Sequence, residues 1–170
     1  MNPLTRALHP ENPAELYALL ALNNAAVPAV NALTAPELAT LIRGARVALA
    51  VVAEDSPDII LGFILAFAPG ADYASENYLW FSGRGENFLY VDRIVVAEDA
   101  RSLGLGPVLY RAVFAAAVAA GLAEITCEVN LEPPNPRSLA FHQRLGFHRV
   151  GTQSTKNNSV VVALLAADVA

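Results

Sequence analysis

The chain has 170 residues, a formal net charge of −5 and a hydrophobic content of 55%, which together predict one domain with a buried core. The acidic balance argues against binding to nucleic acid or to an anionic membrane, because both normally require a positive field. The longest uncharged apolar stretch, residues 112–123, is too short to span a membrane, and the first residues do not resemble a secretory signal.

Cysteine and histidine are scarce. Cys127 is the only cysteine, so no internal disulfide can form, and the three scattered histidines predict no metal site. A reducing, cytoplasmic location fits this composition. We therefore expect a cytoplasmic enzyme or small-ligand module that occupies residues 1–170 as a single domain.

The first third of the chain is predicted to be helical. Residues 13–26 carry leucines at helical spacing, a period that Asn23 interrupts. A capping-box pattern that begins at Thr34 predicts a second helix over residues 35–43. The apolar turn 27–30 joins the two helices.

Strand patterns occupy the middle of the chain. Residues 47–53 and 59–67 are apolar runs rich in β-branched residues, and the turn-forming cluster between them predicts a hairpin. Residues 68–87 mix Gly, Ser and Asn with aromatic residues. A connection of that length is usually functional or contains short structure of its own.

The second half of the chain predicts strands and helices in alternation. The strands are expected at 88–96, 124–129, 147–153 and 159–165, and the helices at 103–120 and 136–145. A strand, a helix and a second strand with short connections form a right-handed parallel crossover. The expected fold class is α/β (α+β in the looser sense), with a central mixed sheet and helices on both faces.

The loop Arg-Ser-Leu-Gly-Leu-Gly-Pro at residues 101–107 predicts an anion site between a strand and a helix. Helix N-termini present unpaired N–H groups, glycines let an anion approach the backbone, and arginine adds a forked cation. A dinucleotide fingerprint would need glycine at position 109, which is Leu109, and a P-loop would need a lysine. A tight turn without a ligand is the alternative that this loop alone leaves open.

Two motifs in order identify a family. Arg101-x-x-Gly104-x-Gly106 follows a predicted strand, and Asn135-x-x-Ser138 is followed by Phe141 and then by Gly-Phe at 146–147. With both motifs on the expected elements, residues 45–165 resemble the GNAT superfamily of acyl-CoA N-acyltransferases. Residues 67–73 resemble a branch of bacterial acetyltransferases, for which no acceptor follows from the sequence.

This resemblance implies acetyl-CoA as co-substrate and no metal cofactor. The residues expected to bind it are Ile94, Val95 and Val96 along the pantetheine, Arg101, Ser102, Leu103, Gly104, Leu105 and Gly106 at the pyrophosphate, and Asn130 or Asn135 with Ser138 and Phe141 on the far side. The connection before the second motif is longer than usual at residues 132–134. The choice between the two asparagines therefore stays open.

Two catalytic residues are expected by the same resemblance. Asp92 precedes Ile94 by two residues, on the same face of the strand, where several family members carry a glutamate base. A carboxylate of ordinary pKa is a weak direct base, so Asp92 is expected to act through water or to hold the ammonium, and a structural ion pair is the alternative. His142 stands where many members have a tyrosine acid. It is expected to protonate the leaving thiolate, the alternative being a structural histidine.

Other residues are assigned by weaker signals. Cys127 lies in a strand among apolar residues, so we expect a core residue rather than a nucleophile. Glu128, on the opposite face, is a second candidate base. Val27, Pro28, Tyr78 and Trp80 are expected to line the acceptor side. For Tyr78 and Trp80, packing of a long loop is the alternative.

The sequence thus predicts direct transfer of an acetyl group from acetyl-CoA to a primary amine of a small molecule or a peptide. Two alternatives stay open, namely a catalytically silent acyl-CoA sensor and a protein-interaction module. A homodimer is compatible with the family.

Overall fold

The computed structural model describes all 170 residues as seven strands, five α-helices and one short 3₁₀ helix. The strands are β1 (Pro3–Ala7), β2 (Val47–Ala53), β3 (Ser56–Phe67), β4 (Phe88–Val96), β5 (Glu124–Glu132), β6 (His148–Thr155) and β7 (Val160–Asp168). The helices are α1 (Pro13–Ala25), α2 (Ala35–Gly44), α3 (Glu76–Arg84), α4 (Leu105–Ala119) and α5 (Pro136–Arg144), and the 3₁₀ helix is Glu98–Leu103.

All seven strands form one sheet in the order β1-β2-β3-β4-β5-β7-β6. Only β4 and β5 are parallel, and α4 crosses between them, whereas every other neighbouring pair is antiparallel. The expected α/β class with a mixed sheet and one parallel crossover is therefore confirmed.

The sheet is covered on both faces, each with its own apolar cluster. On what we call the α4 face, residues of α4 such as Leu109 and Val113 pack against Leu89 and Ile125, and α5 joins at the margin. On the α1 face, residues of α1, α2 and α3 pack against the opposite sides of the same strands. The alternation of buried side chains along the strands explains why one sheet supports two clusters.

β4 and β5 separate soon after they begin. Their register contains only three Cα pairs, from Phe88 with Glu124 to Tyr90 with Thr126. Beyond these pairs each strand hydrogen-bonds only to its outer neighbour, β3 or β7. The later residues of the two strands thus face each other across a gap rather than across a ladder.

Several element boundaries differ from the expected ones. β1 was not expected, because a five-residue edge strand with a proline and an arginine carries little apolar pattern. Residues 68–87 contain α3, which Ser75 caps by accepting a hydrogen bond from the Tyr78 N–H. The helix expected from residue 103 begins at Leu105, after the 3₁₀ helix.

As at α3, a polar side chain caps the first N–H groups of α1, α2 and α5. Thr34 and Glu37 form the expected capping box at α2. Asn12 caps α1 through its side-chain oxygen, and Asn135 caps α5 in the same way. No helix combines the length and the apolar character that crossing a membrane would require.

Candidate active site

Two cavities open on either side of the gap between β4 and β5. The first cavity, about 540 Å³, is lined by Asp92, Glu128 and residues of α3 and of the β6–β7 turn. The second cavity, about 810 Å³, is lined by the last residues of β4, the first residues of α4, and α5. Both contain Pro28, Ile94 and Asn130, so the two cavities meet at the gap.

The turn between α1 and α2 crosses this meeting point. Asn130 of β5 donates a hydrogen bond from Nδ2 to the Pro28 carbonyl oxygen at 3.0 Å. Arg93 of β4 donates to the side-chain oxygens of Asn23 and Asn31, at 2.8 and 2.9 Å. The turn is therefore tied to both separated strands. The expected positions of Val27 and Pro28 beside the site agree with this arrangement.

The N-terminus of α4 opens into the second cavity without a side-chain cap. Gly104 precedes the helix with φ of 71°, and no atom lies within 4 Å of the position that a Cβ would occupy. The first N–H groups of the helix are therefore accessible to an anion. Arg101, Arg137 and Arg144 also line this cavity, and none of them forms an ion pair with a carboxylate.

Gly106 has a different reason to be glycine. A Cβ there would lie 2.7 Å from the ring of Phe141, so either this ring or helix α5 would have to shift. The sequence assigned Gly106 to anion approach, whereas the structure shows close packing of two helices as well.

Most residues expected to bind the co-substrate line the second cavity. They are Ile94, Val95, Val96, Arg101, Ser102, Gly104, Leu105, Gly106, Asn130, Asn135, Ser138 and Phe141. Leu103 does not line it, contrary to the expectation, because this last residue of the 3₁₀ helix is 49% exposed and points to solvent.

The two candidate asparagines have different partners. The amide nitrogen of Asn130 is already bonded to Pro28. Asn135 caps α5 through Oδ1, and its Nδ2 has no hydrogen-bond partner in the protein. Both side-chain N–H groups of Asn135 are therefore free, whereas one of the two in Asn130 links β5 to the turn.

Asp92 lies at a β-bulge in β4. Arg93 pairs with Leu65 and Val91 pairs with Ala66, which leaves Asp92 without a partner on β3. The extra residue breaks the alternation of faces. Ile94 consequently packs on the α4 face, while Asp92 accepts from the hydroxyl of Tyr73, a residue of the α1 face. The expectation that Asp92 and Ile94 share a face is wrong.

The carboxylate of Asp92 is occupied on both oxygens. Tyr73 donates to Oδ1, and Arg93 donates from Nε to Oδ2 at 2.7 Å. The side chains of Asp92 and Arg93 are 5% and 4% exposed. This is the structural ion pair considered as the alternative, formed with the next residue along the strand.

Glu128, the second candidate base, also lines the first cavity. It projects from β5 opposite Cys127, as expected, and accepts a hydrogen bond from the Tyr90 hydroxyl at 2.7 Å. Burial, and secondarily the negative charge of Asp92, raises the pKa of Glu128 to about 8. A carboxyl with that pKa matches proton transfer near neutral pH far better than an ordinary carboxylate does.

His142 is buried and fully hydrogen-bonded. Its Nδ1 lies 2.8 Å from the Ser138 carbonyl oxygen, which can only accept, so Nδ1 carries the proton. Its Nε2 then accepts from the hydroxyl of Tyr110 at 2.7 Å. Burial also lowers the pKa of His142. The neutral ring therefore has no free proton to donate, which disfavours the expected role as an acid.

Cys127 faces the α4 cluster as a buried thiol. Burial raises its pKa well above the usual value, and the neighbouring charge of Glu128 adds to this effect. A protonated thiol is a poor nucleophile. The expected reading of Cys127 as a core residue is thus supported.

Tyr78 and Trp80 line neither cavity, contrary to the expectation. The hydroxyl of Tyr78 donates to the Ala68 carbonyl and accepts from the Ala71 N–H, because this side of α3 is buried. Trp80 packs on Gly151, where a Cβ would lie 2.7 Å from its ring. Both rings hold α3 on the sheet.

Sequence reasoning missed several residues of the site. Asn23 interrupts the helical period of apolar residues in α1. A polar residue at an otherwise buried position indicates a buried hydrogen bond, here with Arg93. Arg93 and Lys156 gave signals that were not followed, since one adjoins Asp92 and the other is the only lysine of the chain. Tyr73, Asn77 and Tyr90 reach Glu128 or Asp92 only through the fold.

Comparison with known proteins identifies the family. The family model described as the acetyltransferase (GNAT) family matches residues 16–147. No curated protein matches the sequence.

Solved structures share the fold at low sequence identity. Ard1 from Thermoplasma volcanium has a TM-score of 0.77 and 14% identity, covering 100% of this chain and 99% of its own. The ribosomal-protein-S18-alanine N-acetyltransferase from Escherichia coli has a TM-score of 0.70 and 14% identity, covering 99% and 94%. A chain of the NatC complex bound to Gag peptide and CoA has a TM-score of 0.76 and 16% identity, covering 99% of each chain.

Proposed function

The chain belongs to the GNAT family of acetyltransferases, and we propose that it transfers an acetyl group from acetyl-CoA directly to a primary amine of a small molecule or a peptide. The observation that carries this proposal is the position of Glu128, a carboxyl with a pKa of about 8, in the first cavity beside the gap that opens into the second. We further propose Glu128 as the base, in place of the first candidate, Asp92.

The second cavity fits acetyl-CoA by its donor set. The uncapped start of α4 and the side chain of Arg101 suit the pyrophosphate. The unpaired edge of β4 at Ile94, Val95 and Val96 suits the amide groups of the pantetheine arm, as an added strand would. Asn135 adds a free side-chain donor on the opposite wall. The thioester supplies the acetyl group and a thiolate leaving group.

The reaction needs an uncharged amine. An amine such as that of lysine, with pKa ~10.4, is mostly protonated at neutral pH, so it must lose a proton before it can react. The ammonium first loses one proton to solvent, and the neutral nitrogen then attacks the thioester carbonyl. The Glu128 carboxylate would take the second proton from nitrogen as the C–N bond forms, after which the C–S bond breaks. The thiolate, with a thiol pKa of ~8.5, leaves without strong assistance and takes a proton from solvent. The buried, protonated Cys127 thiol favours direct transfer over an acyl-enzyme route.

Asp92 and Arg93 act by position in this proposal. Asp92 raises the pKa of Glu128 by its charge, and Arg93 holds Asp92 and the turn above the gap. His142 fixes the Tyr110 hydroxyl and the start of α5 rather than donating a proton.

The test is release of free CoA thiol when the protein is given acetyl-CoA and a panel of primary amines and peptides. We expect turnover with at least one acceptor, and its loss in Glu128→Gln. Arg43→Gln is a matched control, because Arg43 lies on α2 and lines neither cavity.

Thermal shift separates the alternatives. A ligand at ~100 times its Kd stabilises a protein by ~2.7 kcal/mol, so acetyl-CoA should raise Tm. Stabilisation without turnover of any amine would favour a silent acyl-CoA sensor. No stabilisation at saturating acetyl-CoA would favour a protein-interaction module and end the enzyme proposal.

A further inference from the structure

The first cavity contains one cation without an anionic partner. Lys156, in the turn between β6 and β7, lines this cavity together with Asp92 and Glu128. It takes part in none of the ion pairs of the protein. Arg93, the other basic side chain with a permanent charge in this lining, is 4% exposed and paired with Asp92.

The backbone of Lys156 is held at the cavity rim. Its N–H donates to Glu76 Oε2 at 3.1 Å, and its carbonyl oxygen accepts from the Ser159 hydroxyl at 2.7 Å. Lys156, Asn157 and Asn158 all have positive φ, at 51°, 56° and 65°. Lysine is disfavoured in this region, where asparagine is tolerated, so the turn keeps an unfavourable residue beside the cavity.

The composition of the chain singles out the same residue. Ten of the eleven basic residues are arginine, and Lys156 is the only lysine. A compact ammonium on a flexible stem suits a point contact with an anion in a small cavity. The volume of about 540 Å³ is that of a small-molecule site.

We propose that Lys156 selects acceptors that carry an anionic group, such as a carboxylate, in addition to the amine that is acetylated. This inference rests on the proposed function. The amine lies toward Glu128, which removes its proton, and the anion lies toward Lys156 at the rim. An amine without an anion cannot form this contact, and its ammonium and Lys156 repel each other.

The experiment compares amino acids with their carboxamides in the coupled CoA-release assay. For each pair we define the preference as kcat/KM of the acid divided by that of the amide. Dividing the wild-type preference by that of Lys156→Gln cancels the difference in amine pKa between acid and amide. We expect Lys156→Gln to lower the preference by on the order of tenfold, mainly through KM of the acid.

Two further variants separate charge from structure. Lys156→Arg keeps the charge and should retain most of the preference. The double variant Lys156→Asn with Asn157→Lys keeps the net charge of −5 and moves the cation by one residue, and it should lose the preference as Lys156→Gln does. Wild-type and Lys156→Gln preferences equal within twofold, with amides turned over as well as acids, would overturn the inference and leave the proposed function standing.

If the wild type turns over no amine, this result counts against the proposed function. The inference about Lys156 is then tested by binding affinity instead of by turnover. Calorimetry on the CoA-loaded protein then compares the affinities of the acid and the amide. Tighter binding of the acid, lost in Lys156→Gln, supports the inference. Equal affinities overturn it.

Discussion

At the scale of single residues, the two candidate bases have different surroundings. Asp92 has both carboxylate oxygens bonded and serves an ion pair, whereas Glu128 has a pKa raised to about 8 and faces the first cavity. The two carboxylates are coupled, since the charge of Asp92 is one cause of that shift. Different environments thus separate a structural carboxylate from a candidate base.

Glu128→Gln tests this assignment through the pH dependence of the rate. A base must be deprotonated, so kcat/KM of the wild type should rise about tenfold per pH unit below pH 8 and level off above it. The acceptor should have an amine pKa below ~6, so that its own titration does not contribute. We expect the rate of the variant to fall ~10²- to 10⁴-fold. The rise of kcat/KM with pH below pH 8, the acidic limb of the profile, should also disappear. An unchanged limb in the variant would assign the titration to another group.

Gly106 offers a prediction on packing. Gly106→Ala places a methyl 2.7 Å from the Phe141 ring, and overpacking of this kind typically costs ~1–3 kcal/mol. Urea unfolding should show this loss of stability. When Phe141 is already replaced by the smaller Leu, adding Gly106→Ala should cost less than it does in the wild type. Additive effects of the two changes would mean that the helices move apart without strain.

At the scale of elements, the site depends on what happens at strand and helix ends. β4 and β5 pair over three residues and then separate, which leaves a gap that the α1–α2 turn crosses. The start of α4 lines the second cavity with an uncapped N-terminus. Neither the gap nor the uncapped helix start is a property of a single residue. The gap forms where the pairing of β4 with β5 stops, and the anion site forms where α4 begins.

Gly104 tests the anion site at α4. Gly104→Asn keeps a residue that tolerates φ of 71° but introduces a side chain beside the N–H groups, so KM for acetyl-CoA should rise on the order of tenfold with little change in Tm. Gly104→Val should raise KM as well and also lower Tm, because a β-branched residue is strained there. Initial-rate kinetics and thermal unfolding measure both effects. Wild-type KM in both variants would contradict the placement of the pyrophosphate.

At the scale of the whole molecule, one sheet carries both clusters and both cavities. Because all seven strands form one hydrogen-bonded sheet and helices cover both faces, we propose that residues 1–170 unfold as one domain. The site lies where the sheet is interrupted, and Glu128 is half-buried there, so its protonation is coupled to folding if its pKa differs between the folded and unfolded states.

Glu128→Gln also predicts a pH-dependent change in that stability. The folded pKa of Glu128 is about 8 against an ordinary value of 4.5, so the folded protein binds an extra proton between these values. Stability therefore falls as pH rises from about 4.5 to 8. Calorimetry should show one transition, with the variant gaining Tm over the wild type at pH 8 and little at pH 5. A variant that gains equally at both pH values would exclude the linkage.

Much of this protein could be predicted from the sequence, because periodicity and capping are local. The class of fold, the capping box at Thr34 and the parallel crossover all follow from neighbouring residues. The anion site at residues 101–106 stays a prediction. Two ordered motifs were also sufficient to recognise the family.

Only the tertiary structure decided which side chains meet. The bulge at Asp92 reverses the faces of β4, the Ser138 carbonyl sets the tautomer of His142, and Asn23 lies 70 residues before its partner Arg93. Lys156 reaches the first cavity only because β6 and β7 return to the gap between β4 and β5. A pKa, a hydrogen-bond partner and an exposed face depend on neighbours that are distant in sequence. Spacing along the chain does not contain that information.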